Sequence, residues 1–225
     1  MDESIKPAAT VVVIREIEDQ MQVLMLRRNP ALAFAPDTWV FPGGKVEDSE
    51  LLDAKGDLNI ANRLAAVREC AEETGLTLEA AQLIPISHWT TPNLRPKRYA
   101  TQFFISYLPD PGPVHIDNSE IIEYCWMTPS DALAAHTRGE LTIMAPTVVT
   151  LTELSKSTNY ADVESYFSTQ PQKVYEPRVK LDSRTEGTFL YQGDSGYEAG
   201  NPERGDKLNR CEMSGGVIKH YYDLD

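Results

Sequence analysis

Apolar residues follow two kinds of pattern along this chain. TVVVIRE (Thr10 to Glu16) and QVLMLRR (Gln22 to Arg28) are β-branched and aliphatic runs separated by the polar IEDQM, which predicts a strand hairpin. After the turn-forming Asn29-Pro30, TWVFPGG predicts a short strand broken by Pro42, Gly43 and Gly44. From about Ile60 the period changes. Ile60, Leu64, Val67 and Ala71 recur at helical spacing, and Gly75 provides a C-terminal stop. At about 100° per residue these four fall within roughly 40° of one another, whereas Glu69, Glu72 and Glu73 centre at about 170°. The pattern therefore predicts a helix with a core face and, opposite it, a carboxylate face.

Farther along, RYATQFFISYL (Arg98 to Leu108) and EIIEYCWM (Glu120 to Met127) read as strands. SDALAAHTRG, APTVVTLTELSK and YADVESYFS read as helices. Strands first and last with helices between them predict an α+β layered domain, without internal repeats or low-complexity stretches. After Pro171 the pattern turns to short strands and turns, with seven of the 13 glycines in this last quarter. Ser214-Gly215-Gly216 marks a hairpin turn there. Residues 1–170 are thus expected to form the main domain, and residues 171–225 a β-rich extension packed on it. The extension reads first as a packing flap, with a lid over a site or a dimer arm as alternatives, so a homodimer stays open.

Composition narrows the chemistry. The 225 residues carry a formal net charge of -13, a field that repels nucleic acid and anionic membranes. No apolar run approaches the roughly 20 residues that span a bilayer, and the opening MDESIKPAA is acidic where a signal peptide would be basic. A cytoplasmic location is expected. Cys70, Cys125 and Cys211 lie far apart without a CxxC, and His88, His115, His136 and His220 are equally scattered, so neither a disulfide framework nor a zinc site is indicated.

The RECAEETGL stretch, Arg68 to Leu76, is the chemical anomaly. Like charges three and four apart on a helix repel, yet the only adjacent counter-charge to its glutamates is Arg68. Read alone, the cluster is a solvated face. Hard oxygen ligands short of counter-charge suit Mg²⁺ or Mn²⁺, however, and the Gly43-Gly44 pair upstream lets backbone approach closely.

Together these segments resemble the Nudix hydrolases, whose box reads G-x5-E-x7-R-E-U-x-E-E-x-G-U with U aliphatic. Gly44 and Glu50 match its first part, and Arg68-Glu69-Cys70-Ala71-Glu72-Glu73-Thr74-Gly75-Leu76 its second. Between them 17 residues, Leu51 to Val67, stand where the pattern has seven, an insertion expected to enlarge the loop before the helix. This enlarged box, FAPDTWVFPGG and the segment from Trp126 to Leu154 are similar to the peroxisomal-type coenzyme A diphosphatase branch.

The resemblance implies an α/β/α Nudix sandwich with a mixed sheet, and an enzyme that hydrolyses the diphosphate of a nucleoside diphosphate linked to another moiety. Coenzyme A or acyl-CoA is the first substrate expected, ADP-ribose or NADH the second. The competing reading is a non-catalytic nucleotide sensor. By the same resemblance Glu69, Glu72 and Glu73, with the Gly43 carbonyl, would bind Mg²⁺ or Mn²⁺, Arg68 would brace the carboxylates, and Glu50 would stabilise the loop. A glutamate outside the box, Glu120 or Glu123, would complete the site or act as base. Arg95, Lys97 and Arg98 in TPNLRPKRY form the compact basic spot of the chain and could clamp a phosphate; a solvated loop is the plain alternative. Phe34, Trp39 and Tyr99 could stack on a base, although core packing is the expectation for such aromatics.

Overall fold

The computed structural model describes residues 5–94, 97–203 and 205–223. A long strand β1 (Ile5–Ile17) turns back into β2 (Gln20–Arg28) through Glu18 and Asp19, both at positive φ (51° and 60°). Two such residues make the tight turn whose twist matches an antiparallel hairpin, and Ile17 pairs with Gln20 across it. Then come β3 (Trp39–Val40), β4 (Gly43–Lys45), α1 (Asp48–Asp53), α2 (Leu58–Thr74), β5 (Ile84–Thr90), β6 (Arg98–Tyr107) and β7 (Ile121–Met127). The helices α3 (Pro129–Thr137), α4 (Ala145–Leu154) and α5 (Tyr160–Thr169) precede β8 (Lys173–Tyr175), β9 (Arg178–Leu181), β10 (Gly187–Leu190), β11 (Leu208–Ser214) and β12 (Val217–Asp223).

The first eight strands make one mixed sheet in the order β3-β2-β1-β6-β5-β8, with β4 also paired to β1 and β7 to β2. β1 runs parallel to β6, and β4 lies antiparallel on the first half of β1. Helices cover both faces. Val11, Val13, Leu24, Leu26 and Phe104 pack against Ala65, Ala66 and Cys70 of α2. Val12, Ile14, Val23, Met25 and Ile105 pack against Ala132, Val148, Leu151 and Val163 of α3, α4 and α5. Burial on both faces is why the β1 and β2 stretches are continuously apolar instead of alternating. The α+β class and the layered sandwich are therefore as expected.

Strands β9 to β12 form a separate antiparallel sheet, while β8 joins the main sheet beside β5. Tyr191, Cys211 and Ile218 sink into the same core as α3 and α4. Two polar anchors reinforce the join. His136 of α3, 3% exposed, accepts a 2.8 Å bond from the Ile218 amide at Nε2 while Nδ1 faces the Leu141 carbonyl at 2.8 Å; an accepting Nε2 puts the proton of the neutral ring on Nδ1. Lys156 and Lys173, which both bind Glu153 of α4 at 2.9 and 2.8 Å, lie over the Tyr222 ring of β12 at 5.7 and 5.3 Å.

Three expectations are corrected. The buried face of α2 comprises Ala61, Ala65, Ala66, Cys70, Glu73 and Thr74, whereas Ile60 is 47% exposed and Ala71 lies on the surface. Small alanines let the helix lie close on the sheet, and this contact outweighs the stripe of larger side chains. Second, the 17-residue interval is largely helical: α1 and the first turns of α2 fill it, with Asp57 accepting the Asn59 amide at 2.9 Å as cap. Third, the sequence pattern does not predict β5. IPISHWT carries Pro85 in its interior, and its pairing with β6 shifts register between Pro85 and Ser87, the kind of irregularity at which a sheet tolerates proline.

Candidate active site

Glu69, Glu72 and Glu73 occupy the last turns of α2, yet their surroundings differ. Glu73 is 6% exposed, and the side chains of Glu69 and Glu72 are 18% and 59% exposed. Arg68 ties Glu69 and Glu72 to the preceding elements. Its Nε meets Glu50 Oε1 at 2.8 Å, its Nη1 meets Glu69 Oε1 and Glu72 Oε2 at 2.9 Å each, and its Nη2 donates to the Lys45 carbonyl at 3.0 Å. One planar fork thus fastens α2 to α1 and β4. Burial works against the Arg68 charge, but the bonds to Glu50 and Glu69 outweigh it and hold its pKa above the usual arginine value. Glu50, itself buried, also accepts the Glu47 amide at 2.8 Å, which fixes the start of α1.

The two glycines of β4 close the other side. The Gly43 amide donates to Glu73 Oε2 at 3.0 Å. A Cβ on Gly44 would overlap the Glu69 carboxylate, and one on Gly43 would run into the Ala9 carbonyl and Thr10. Close backbone approach is why glycine stands at both positions.

The carboxylates are poorly compensated. Burial pushes Glu73 up to about 8; the Gly43 amide and the Arg28 charge oppose this, while Glu69 and Glu120 add to it. Burial also raises Glu69, against the pull of Arg68 and with the help of Glu72 and Glu120. Glu120 is held in place by its own loop. Asp117 accepts the amides of Ser119, Glu120 and Ile121 at 3.1, 2.8 and 2.9 Å, and the Asn29 amide donates to the Glu120 carbonyl at 2.8 Å. Glu123 is bonded instead to Arg27 at 3.0 Å.

Among the described residues, no three acidic, histidine or cysteine side chains are gathered tightly enough to hold a metal ion as they stand. Arg68 and the Gly43 amide engage their oxygens. The donor set nonetheless fits a hard divalent cation: Glu69 and Glu73, both raised by burial and neighbouring carboxylates, face a backbone from which side chains are excluded, and Glu72 is tied to Glu69 through Arg68.

The basic segment is less uniform than its sequence. Arg95 lies outside the described residues, and Lys97 is exposed. Arg98 donates from Nε to the Thr91 carbonyl at 2.9 Å. Trp39 is core, 7% exposed, while Phe34 and Tyr99 meet edge to face with centroids 6.1 Å apart. Sequence reasoning missed Arg28. Its guanidinium stands 3.7 Å from Glu120 and donates to the Phe34 carbonyl at 3.4 Å, and its charge reaches Glu73. The available signal was a charged pair, Arg27-Arg28, closing an apolar strand.

This geometry agrees with a comparison of the chain with known proteins: residues 5–145 match the NUDIX domain. The protein belongs to the Nudix family. Over 220 residues it is 27% identical to a Caenorhabditis elegans protein named nudix hydrolase 7, covering 82% of this chain and 72% of that one. It is 27% identical over 161 residues to the acyl-coenzyme A diphosphatase NUDT19 of Homo sapiens, covering 71% of this chain and 42% of that enzyme. A solved Nudix hydrolase from Alicyclobacillus acidocaldarius superimposes with a TM-score of 0.67 at 27% identity, over 74% of this chain and 98% of the other. The family membership makes the protein a Nudix hydrolase, and its similarity to NUDT19 relates it to the coenzyme A diphosphatases. No helix among the described residues is long and apolar enough to cross a membrane.

Proposed function

We propose that this Nudix hydrolase cleaves the diphosphate of a nucleoside diphosphate linked to a second moiety, with Mg²⁺ or Mn²⁺ held by Glu69, Glu72, Glu73 and the Gly43 carbonyl. The observation that carries the proposal is the juxtaposition of the half-buried Glu69 and the buried Glu73 with the side-chain-free Gly43-Gly44 backbone. A divalent ion there would neutralise diphosphate oxygens and lower the pKa of a water. The protein's own groups have separate tasks. Arg68, itself anchored by Glu50 and Lys45, keeps Glu69 and Glu72 in position, and the Gly43 amide holds Glu73. Glu120, the neighbouring carboxylate outside the helix, accepts the proton of the attacking water. Lys97 and Arg98, with Arg95, receive the more distant phosphate. The products are a nucleoside monophosphate and the phosphorylated remainder.

Coenzyme A or an acyl derivative is the first substrate, supported by the name of the human relative; ADP-ribose or NADH is the second. All three box glutamates are present, which favours an enzyme over a nucleotide sensor. The test is a panel of coenzyme A, acyl-CoA, ADP-ribose and NADH with Mg²⁺ or Mn²⁺, run beside Glu72→Gln and Glu120→Gln. Metal-dependent turnover that drops at least about 100-fold in Glu72→Gln is expected. Equal rates in wild type and Glu72→Gln would remove the catalytic assignment, and nucleotide binding without turnover would support the sensor.

A further inference from the structure

Loop 29–38, between β2 and β3, is pinned at every few residues and yet presents an aromatic ring to solvent. Asn29 Oδ1 accepts the Ala31 amide at 3.0 Å, the Arg28 amide donates to the Thr38 carbonyl at 3.0 Å, and Asp37 receives Arg27 Nε at 2.8 Å. Ala35 and Asp37 sit at φ of 47° and 55°, a conformation that costs residues with a Cβ. What this constrained loop displays is Phe34, 43% exposed. The ring meets Tyr99, at the start of β6, with an interplanar angle of 64°. An edge-to-face contact uses one ring face and one edge, so the pair keeps aromatic surface free for a third ring.

The pair is also tied to the carboxylate cluster. Arg28 donates to the Phe34 carbonyl through Nε and faces Glu120 through Nη2, so the loop backbone and the Glu120 carboxylate are separated by the width of one guanidinium. Asn29 adds two bonds from the same loop to the Glu120 segment, its amide to the Glu120 carbonyl at 2.8 Å and its Nδ2 to the Ser119 carbonyl at 2.9 Å. A phosphate near Arg28 would hold the rest of its nucleoside within reach of Phe34.

We infer that Phe34 and Tyr99 form the platform on which the nucleobase of the substrate stacks, with Arg28 directing the adjoining phosphate. This rests on the hydrolase reading above and assigns the recognised half of the substrate: a nucleoside 5′-phosphate, held by its flat base, while the other half is left to the remaining surface. Stacking of a base on an aromatic side chain is sequence-tolerant and strong enough to dominate affinity at such a site.

The experiment uses the full chain with AMP, which keeps base and phosphate but lacks a scissile diphosphate, and ribose 5-phosphate, which lacks the base. Calorimetry should show AMP binding at least about tenfold tighter than ribose 5-phosphate. Phe34→Ala and Tyr99→Leu should remove most of that preference while leaving ribose 5-phosphate affinity unchanged, and Phe34→Trp should restore it. For the preferred diphosphate, Phe34→Ala should raise KM with kcat retained. Equal affinity of wild type for the two ligands, or equal loss of both in Phe34→Ala, would overturn the platform. Failure of wild type to hydrolyse any diphosphate would instead sink the hydrolase reading, and the AMP comparison would still decide the platform.

Discussion

The amide of Gly43 donates to the carboxylate of Glu73 across 3.0 Å, joining the glycine strand to the end of the helix 30 residues later. This bond opposes the burial that pushes Glu73 up to about 8 without cancelling it. Between the ordinary value of 4.5 and that pH, the unfolded chain has released this proton while the folded chain keeps it. The group's contribution to the stability of the metal-free protein therefore falls as pH rises through this window.

Cation binding should run the opposite way. A divalent ion needs Glu73 ionised, so Mn²⁺ affinity should rise by up to about tenfold per pH unit below the Glu73 pKa and level off above it. Proton release, read by calorimetry in buffers of different ionisation enthalpy, should approach about one per ion bound at the acid end. Glu73→Gln should abolish the linked release. An affinity independent of pH in the wild type would refute Glu73 as a ligand.

Gly44→Ala should be far more harmful to activity than to folding. The new methyl group would occupy the space of the Glu69 carboxylate, which has a partly solvated side on which to move. A loss of kcat of about tenfold or more is expected, together with weaker Mn²⁺ binding and an unfolding midpoint within a few degrees of wild type. Wild-type turnover in this variant would show that Glu69 does not need its present position.

In the C-terminal sheet the expected effect is on stability. Asp194 and Arg210, whose side chains are 0% and 5% exposed, share two bonds of 2.7 Å. Asp194 also accepts the Gly196 and Asn209 amides at 2.8 and 2.9 Å. Removing one partner leaves the other charge buried and unpaired, so Asp194→Ala should destabilise the protein by about 3 kcal/mol or more. Denaturant unfolding would measure this, and a cost below about 1 kcal/mol would show that water reaches Arg210.

How far the sequence could be read depended on whether the deciding interaction was local. The hairpin of β1 and β2, the stop of α2 at Gly75 and the turn at Gly215-Gly216 follow from backbone preferences of a few neighbouring residues, and all were legible. So was the run of acidic residues on the last turns of α2, because charge spacing along a helix needs no tertiary information. The face that α2 buries was not legible. Helical periodicity identified a stripe from Ile60 to Ala71, but the sheet accepted the alanine side, where close approach gives the denser packing, and carried Glu73 inward with it. Nor could the sequence say that Glu120 faces the cluster while Glu123 pairs with Arg27, that Arg28 links Glu120 to Phe34, or that IPISHWT is an interior strand. Those outcomes depend on which segments, distant along the chain, become neighbours in the sheet. The chain alone thus determined most of its elements and the acidic character of the end of α2; burial and the meeting of remote strands decided which of those charged groups face one another.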